Sequence, residues 1–294
     1  MPWRVARPPP WRSRWPGCSG VLLALGACDA DGEERSEPGS PTTSDDPSAA
    51  LVPTVPDAPP DDPFVGNGSF TIPLGDGRDG LVLLHAPPAI EERGRLPLVL
   101  AFHGFPGDAA GMAEMTRLDR LADSEGFLVA YPDSFVDPAD VVALVDHLVD
   151  HWRVDPRRVH ATGFSRGAAF VYTLAAEVPD RIASFAAVSG VKEDLLEARR
   201  PTALLTVQGG RDRLSRFFDV TNRSWAGDQR CARPTTERAR LGGREARRTT
   251  AACRGGGEHV VWSVPSMSHV WPRGADALVW EFFAAHPLAR RFTP

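Results

Sequence analysis

The sequence predicts an α/β fold in which a mainly parallel central sheet carries helices on both faces. Three observations point there. Short apolar runs alternate with amphipathic stretches from residue 96 to residue 285. The run Leu96-Pro97-Leu98-Val99-Leu100-Ala101-Phe102 is apolar throughout, as a strand covered on both faces requires. It stops at the glycine-bearing loop His103-Gly104-Phe105-Pro106-Gly107, and loops at the ends of buried parallel strands are where such sheets place their sites.

Taken in order, residues 69–74 and 81–85 flank Gly75-Asp76-Gly77-Arg78-Asp79-Gly80 and read as two antiparallel strands joined by a turn. After the strand 96–102, the spacing of Met112, Met115, Leu118 and Leu121 predicts one helix over 112–123, and 127–131 is a short strand. Residues 138–152 form an amphipathic helix built on Val141, Leu144, Val145, Leu148 and Trp152, with Asp137 as its cap and Pro138 at its first position. Strands follow at 159–162, 182–188, 203–208 and 260–264, with a helix at 166–176 and a closing helix at 277–285. No internal repeat interrupts this order.

The first 63 residues read differently. Arg4, Arg7, Arg12 and Arg14 precede the short apolar run Val21-Leu22-Leu23-Ala24-Leu25, which is far below the roughly 20 residues that span a bilayer. Residues 1–27 are therefore expected to be an export signal. Leu25-Gly26-Ala27-Cys28 resembles the lipobox of bacterial lipoproteins, which makes Cys28 the acylated first residue of the mature chain; ordinary signal cleavage or a start codon placed too early are the alternatives. Cleavage there leaves 29 cationic against 38 acidic residues. Residues 28–63, dominated by Asp, Glu, Ser, Thr and Pro, hold too little apolar surface to offset the entropy of ordering them and are expected to be a disordered linker. Residues 64–294 form the catalytic domain, about the usual size of one α/β core. The formal net charge is -5 and Lys192 is the sole lysine, with no basic stripe, so no nucleic-acid partner is expected.

Gly163-Phe164-Ser165-Arg166-Gly167 has the spacing of a nucleophile elbow, and the apolar residues before and helical spacing after it supply the strand-turn-helix context that the motif needs. A serine hydroxyl needs a base to take its proton and an acid to orient that base. Of the three histidines beyond residue 212, His259 opens a strand and His286 ends a helix, both structural or exposed; His269, in the loop after strand 260–264, is the candidate base. Asp212, in the loop after strand 203–208, is the candidate acid, the alternative being a surface aspartate paired with Arg211 or Arg213. The oxyanion of a tetrahedral intermediate calls for backbone donors, assigned to Arg166 and Phe105 because Pro106 has no N–H. The His103 side chain is expected to brace its loop. Trp271, beside His269, is a candidate wall of the substrate pocket. No Cys/His cluster has metal-ligand spacing, and no cofactor is expected.

These residues resemble those of bacterial secreted or lipid-anchored esterases grouped with polyhydroxybutyrate depolymerases and feruloyl esterases. The likeness rests on His103-Gly104-Phe105-Pro106-Gly107, on Tyr131-Pro132-Asp133, on Val154-Asp155-Pro156-Arg157-Arg158-Val159 leading into the elbow, and on His269 with Trp271-Pro272. It implies an α/β-hydrolase fold with no large lid domain and places nucleophile, acid and base on Ser165, Asp212 and His269. The chain departs from the family where Met267 and Arg273 replace glycines around the histidine, where Arg166 replaces a small residue after the nucleophile, and where Phe105-Pro106 replaces a glycine pair. It also lacks the longer tryptophan-bearing loop after Tyr131-Pro132-Asp133.

With Cys28 acylated, Cys231 and Cys253 are an even pair in an exported protein and are expected to form a disulfide, as in similar enzymes. The arginine-rich stretch between them reads as solvated surface. The functional expectation is a monomeric serine esterase of the cell envelope, held by the lipid on Cys28 or secreted if the lipobox is unused. It would hydrolyse small acyl or aryl esters, with feruloyl or acetyl esters of plant polysaccharide and hydroxyalkanoate oligomers as candidate substrates. A serine peptidase of the same fold and a catalytically inactive envelope binding protein are the competing readings.

Overall fold

The computed structural model describes residues 65–92, 94–192, 198 and 200–288. The export signal, Cys28 and the linker to residue 63 lie outside them. In chain order the elements are β1 (Gly66–Pro73), β2 (Asp79–Ala86), α1 (Ala89–Glu92), β3 (Leu96–Phe102), α2 (Ala109–Thr116), α3 (Leu118–Glu125), β4 (Leu128–Pro132), α4 (Pro138–His151), β5 (Val154–Phe164), α5 (Arg166–Glu177), β6 (Ser184–Val188), β7 (Ala203–Gly209), α6 (Ser215–Asp228), β8 (Thr235–Leu241), β9 (Arg244–Ala252), β10 (Glu258–Val264) and α7 (Ala275–Ala285). The strands form one ten-stranded sheet in the order β1-β2-β4-β3-β5-β6-β7-β10-β9-β8. From β4 to β10 neighbours run parallel, whereas β1-β2-β4 at one edge and β10-β9-β8 at the other are antiparallel. This is the α/β-hydrolase fold, with no large lid insertion among the described residues.

The apolar run of β3 explains how one sheet builds two cores. Side chains alternate across a strand, so Leu96, Leu98, Leu100 and Phe102 enter the cluster packed under α4 and α5, while Val99 and Ala101 enter the one packed under α2, α3 and α7. Every β3 residue is buried, and each fully buried leucine contributes roughly 1.5–3 kcal/mol relative to exposure. Asp137 caps α4 as expected, accepting from the Ala139 N–H at 2.8 Å with Pro138 at the first position.

Three parts of the chain differ from the sequence expectation. The helix read over 112–123 is two helices, because Arg117 takes a left-handed conformation (φ 57°), ends α2 through its N–H to Ala113 O, and redirects the chain so that Leu118 and Ala122 of α3 reach the core. A 14-residue helix, α6, follows the loop carrying Asp212; its buried Phe218, Thr221 and Trp225 lie among polar neighbours that hide the stripe. The arginine-rich stretch is largely solvated as expected, but it is folded as the hairpin β8–β9, turning at Gly242 and Gly243, both with positive φ as a two-residue hairpin turn requires. Leu241 and Ala246 bury the hairpin against the second core, Ala251 is buried as well, and the charged side chains of β8 guard the sheet edge against pairing with another strand. Cys231 and Cys253 are joined in a disulfide that ties the segment after α6 to the end of β9.

Candidate active site

The site stands at the carboxyl ends of β5, β7 and β10. At the first of these, Ser165 follows the last residue of β5 and precedes α5 with φ 55° and ψ -113°, a conformation that costs of order 1–3 kcal/mol unless its surroundings enforce it. They do so by close packing. A Cβ on Gly163 would fall 2.4 Å from the Gly167 carbonyl, and one on Gly167 would fall 2.2 Å from Phe102 O, so the turn closes only with glycine at both positions. The Ser165 N–H donates to Val188 O at 3.0 Å, fastening the elbow to the end of β6.

The acid and base loops are laced together before their side chains meet. Strands β7 and β10 are parallel neighbours with Gly209 opposite Val264. Beyond them Gly210 N–H donates to Val264 O at 3.0 Å and Arg211 N–H to Met267 O at 2.9 Å. Met267 is fully buried and packs into the second core, which anchors the histidine loop.

On this frame His269 Nε2 lies 2.9 Å from Ser165 Oγ, and His269 Nδ1 lies 2.9 and 3.0 Å from the two carboxylate oxygens of Asp212. Because an ionised carboxylate only accepts, Nδ1 carries the proton and Nε2 is left to accept from the serine hydroxyl. The Asp212 side chain is completely buried and also accepts from Leu214 N–H at 2.8 Å, which fixes the carboxylate plane. Neither Arg211 nor Arg213 pairs with it among the described residues; Arg213 instead brings its guanidinium 3.5 Å from His269 Nε2. The imidazole rests against Phe164, ring centroids 5.0 Å apart. Ser165, His269 and Asp212 thus have the arrangement of a serine-hydrolase triad.

A cavity of about 510 Å³ opens beside Ser165. Phe105 and Arg166, the residues expected to supply oxyanion donors, both line it, as do His103, Gly104 and Gly167. A Cβ on Gly104 would lie 3.2 Å from Ser165 Cβ, so this wall abuts the nucleophile directly. His103 braces the loop as expected: Nδ1 lies 2.8 Å from Gly104 O and Nε2 lies 3.1 Å from Asp133 Oδ1. Trp271 does not line this cavity; it is half-buried and packs against the second core near Met267. His259 is buried inside β10, where desolvation pulls it down to about 4, and His286 pairs with Glu258, so both are structural. The residues that sequence reasoning missed are Val188, which holds the elbow, and Arg213, which faces the base; neither carries a local motif.

No family model matches the chain. Over 165 residues it is 36% identical to NocK of Nocardia uniformis subsp. tsuyamanensis, an esterase by its name, a match covering 48% of this chain and 47% of that one. Over 158 residues it is 31% identical to the bifunctional acetylxylan esterase/xylanase XynS20E of Neocallimastix patriciarum, covering 50% of this chain and 23% of that one. The chain thus spans less than half the length of these curated relatives. Among solved structures, the acetyl xylan esterase from Aspergillus awamori superposes with TM-score 0.60 at 17% identity, over 74% of this chain and 99% of that one, which bears on the fold. The chain is an α/β-hydrolase related to acetylxylan esterases, feruloyl esterases and poly(3-hydroxyalkanoate) depolymerases.

Proposed function

We propose that the chain is a serine esterase that hydrolyses carboxylic esters through an acyl-enzyme on Ser165. The observation that carries this reading is the single imidazole of His269 within 2.9 Å of both the Ser165 hydroxyl and the Asp212 carboxylate. Ser165 Oγ attacks the acyl carbon while its proton passes to His269 Nε2, and Asp212 stabilises the imidazolium that results. The alcohol leaves with that proton as the C–O bond breaks. Water then attacks the acyl carbon, gives a proton to His269 and releases the acid, returning the proton to Ser165.

The oxyanion is assigned to the backbone N–H groups of Arg166 and Phe105. Arg166 is the first residue of α5, where a helix N–H has no intrahelical partner, and Phe105 faces the same opening. Acetyl or feruloyl esters of plant polysaccharide and hydroxyalkanoate oligomers are the candidate substrates, supported by the names of the relatives. A cell-envelope location, with the lipid on Cys28 as the membrane partner, is part of the proposal. Its support is the arginine-led apolar run before Cys28 together with the Cys231–Cys253 disulfide, a bond that persists in oxidising compartments. The protein acts as a monomer in this reading.

The test is hydrolysis of p-nitrophenyl acetate beside fluorophosphonate labelling. Wild type is expected to turn over and label, and Ser165→Ala to lose at least about 10⁴-fold in kcat and all labelling, with the same melting temperature. Cleavage of peptide amides in preference to esters would identify a peptidase, and absence of labelling in wild type would identify a binding protein.

A further inference from the structure

The cavity beside Ser165 reverses the charge of the chain that builds it. The sequence holds 38 acidic against 33 cationic residues, yet the cavity wall contains Arg78 and Arg166 and neither aspartate nor glutamate. Asp133 is bound to His103 Nε2 and to the Ala109 N–H, whereas Asp76 pairs with the wall's own Arg78, Nε to Oδ2 2.7 Å. Arg166 has no ion pair among the described residues. Its exposed guanidinium lies 5.7 Å from the centroid of the Phe105 ring, itself exposed, a contact that does not neutralise it. Outside this wall, a third guanidinium, that of Arg213, lies 3.5 Å from His269 Nε2. The rest of the wall mixes the polar His103, Ser134 and Thr173 with apolar residues, among which Phe105, Phe135 and Phe170 are available to hold a hydrocarbon or aryl body.

We propose that this cavity selects esters bearing a carboxylate a few atoms from the scissile bond, with Arg166 as the specificity-determining residue and Arg78 as a weaker contributor. The inference rests on the serine-esterase reading and names the substrate class of that site. Arg166 directly follows Ser165, so its Cα is about 3.8 Å from that of the nucleophile, and its side chain reaches groups only a few bonds from the reacting carbonyl. A guanidinium fork matches a carboxylate with two parallel hydrogen bonds, and at Arg166, which has no ion pair among the described residues, that fork is open. Arg78 already shares its charge with Asp76 and therefore contributes less.

The experiment compares matched esters that differ by one charge. On the alcohol side the pair is 4-acetoxybenzoate and its methyl ester; on the acyl side it is monoethyl and diethyl succinate. The readout is the ratio of kcat/KM for anionic over neutral ester, in which differences common to both members of a pair cancel, including any effect of a substitution on the oxyanion donors. Arg166→Gln is expected to lower the wild-type ratio about tenfold in at least one pair, chiefly through KM, with partial recovery in Arg166→Lys. Arg78→Gln is expected to lower it about threefold, and raising the salt from about 0.02 to 0.5 M to lower it in wild type by screening. The responding pair identifies the side of the ester that carries the charge. Both ratios unchanged in Arg166→Gln, or insensitive to salt in wild type, would overturn the inference while leaving the esterase reading intact. Failure of wild type to hydrolyse any of the four esters while it turns over p-nitrophenyl acetate and labels would overturn the inference alone; failure to turn over p-nitrophenyl acetate and to label would overturn both.

Discussion

The elbow at the end of β5 and the hairpin β8–β9 belong to the same sheet but obey opposite rules of sequence. Around Ser165 the backbones of β3, β5 and α5 approach so closely that a Cβ at either flanking glycine would meet backbone within 2.4 Å, and relief requires a strand or a helix to move. In the hairpin most side chains are exposed, and Leu241, Ala246 and Ala251 are its buried residues. The elbow is specified by backbone contact; the hairpin is specified by an alternating pattern, a Gly242-Gly243 turn and a covalent tie. Chemistry that tolerates little displacement sits on the first kind of structure.

The largest effect is expected from Gly167→Ala. The added Cβ would press on Phe102 O, so the variant is expected to lose at least about 3–4 kcal/mol in urea unfolding or to fail to accumulate as folded protein. A variant within about 0.5 kcal/mol of wild type would show that the elbow has room. Next comes the hairpin's tie. Replacing Cys231 and Cys253 together by serine is expected to lower stability by about 3 kcal/mol, the cost for a loop of this length, while kcat/KM on a soluble ester changes less than about twofold. Loss of activity in the folded double variant would mean that the hairpin reaches the site after all.

The smallest effect, per unit of pH, comes from one histidine in each region. His160 on the elbow strand and His259 on β10, beside hairpin strand β9, are both held neutral by burial, at about 3 and about 4. Their folded values lie below the unfolded value near 6.5, so the unfolded chain takes up protons first as the pH falls. Stability is complete above about pH 6.5 and declines below it, each histidine lowering the folding equilibrium up to about tenfold per pH unit. The His259 contribution ends near pH 4, where the folded state protonates as well. Urea midpoints measured from pH 7.5 to 4 are expected to fall in wild type and to fall about half as steeply in His259→Leu; an unchanged slope would assign acid sensitivity elsewhere.

Much of the site was legible because its signals are local. The pentad around Ser165 needs a strand, a tight turn and a helix in immediate succession, and each leaves its mark within a dozen residues. Asp212 and His269 were legible by position, each in the loop after an apolar strand and in the required chain order. The break between α2 and α3 was not, because Arg117 adopts a left-handed conformation without the glycine that usually announces one. Helix α6 was hidden because Thr221 completes its buried stripe among polar residues, and the hairpin because only small or single apolar residues face the core between arginines. Trp271, a candidate pocket wall by its nearness in sequence to His269, is partly buried and packs against the second core, a contact that its position in the chain does not announce.

The alternation that yields a parallel sheet, the elbow, and the order of nucleophile, acid and base are written along the chain, because each depends on spacing within one segment or on succession of segments. Tertiary structure decided that His269 meets a carboxylate 57 residues before it and a hydroxyl 104 residues before it. It also decided that Arg78 and Arg166 share one cavity wall. Those meetings are set by the parallel registers of β5, β6, β7 and β10 and by loops laced across strand ends, and such long-range packing leaves no periodicity in any single stretch of chain.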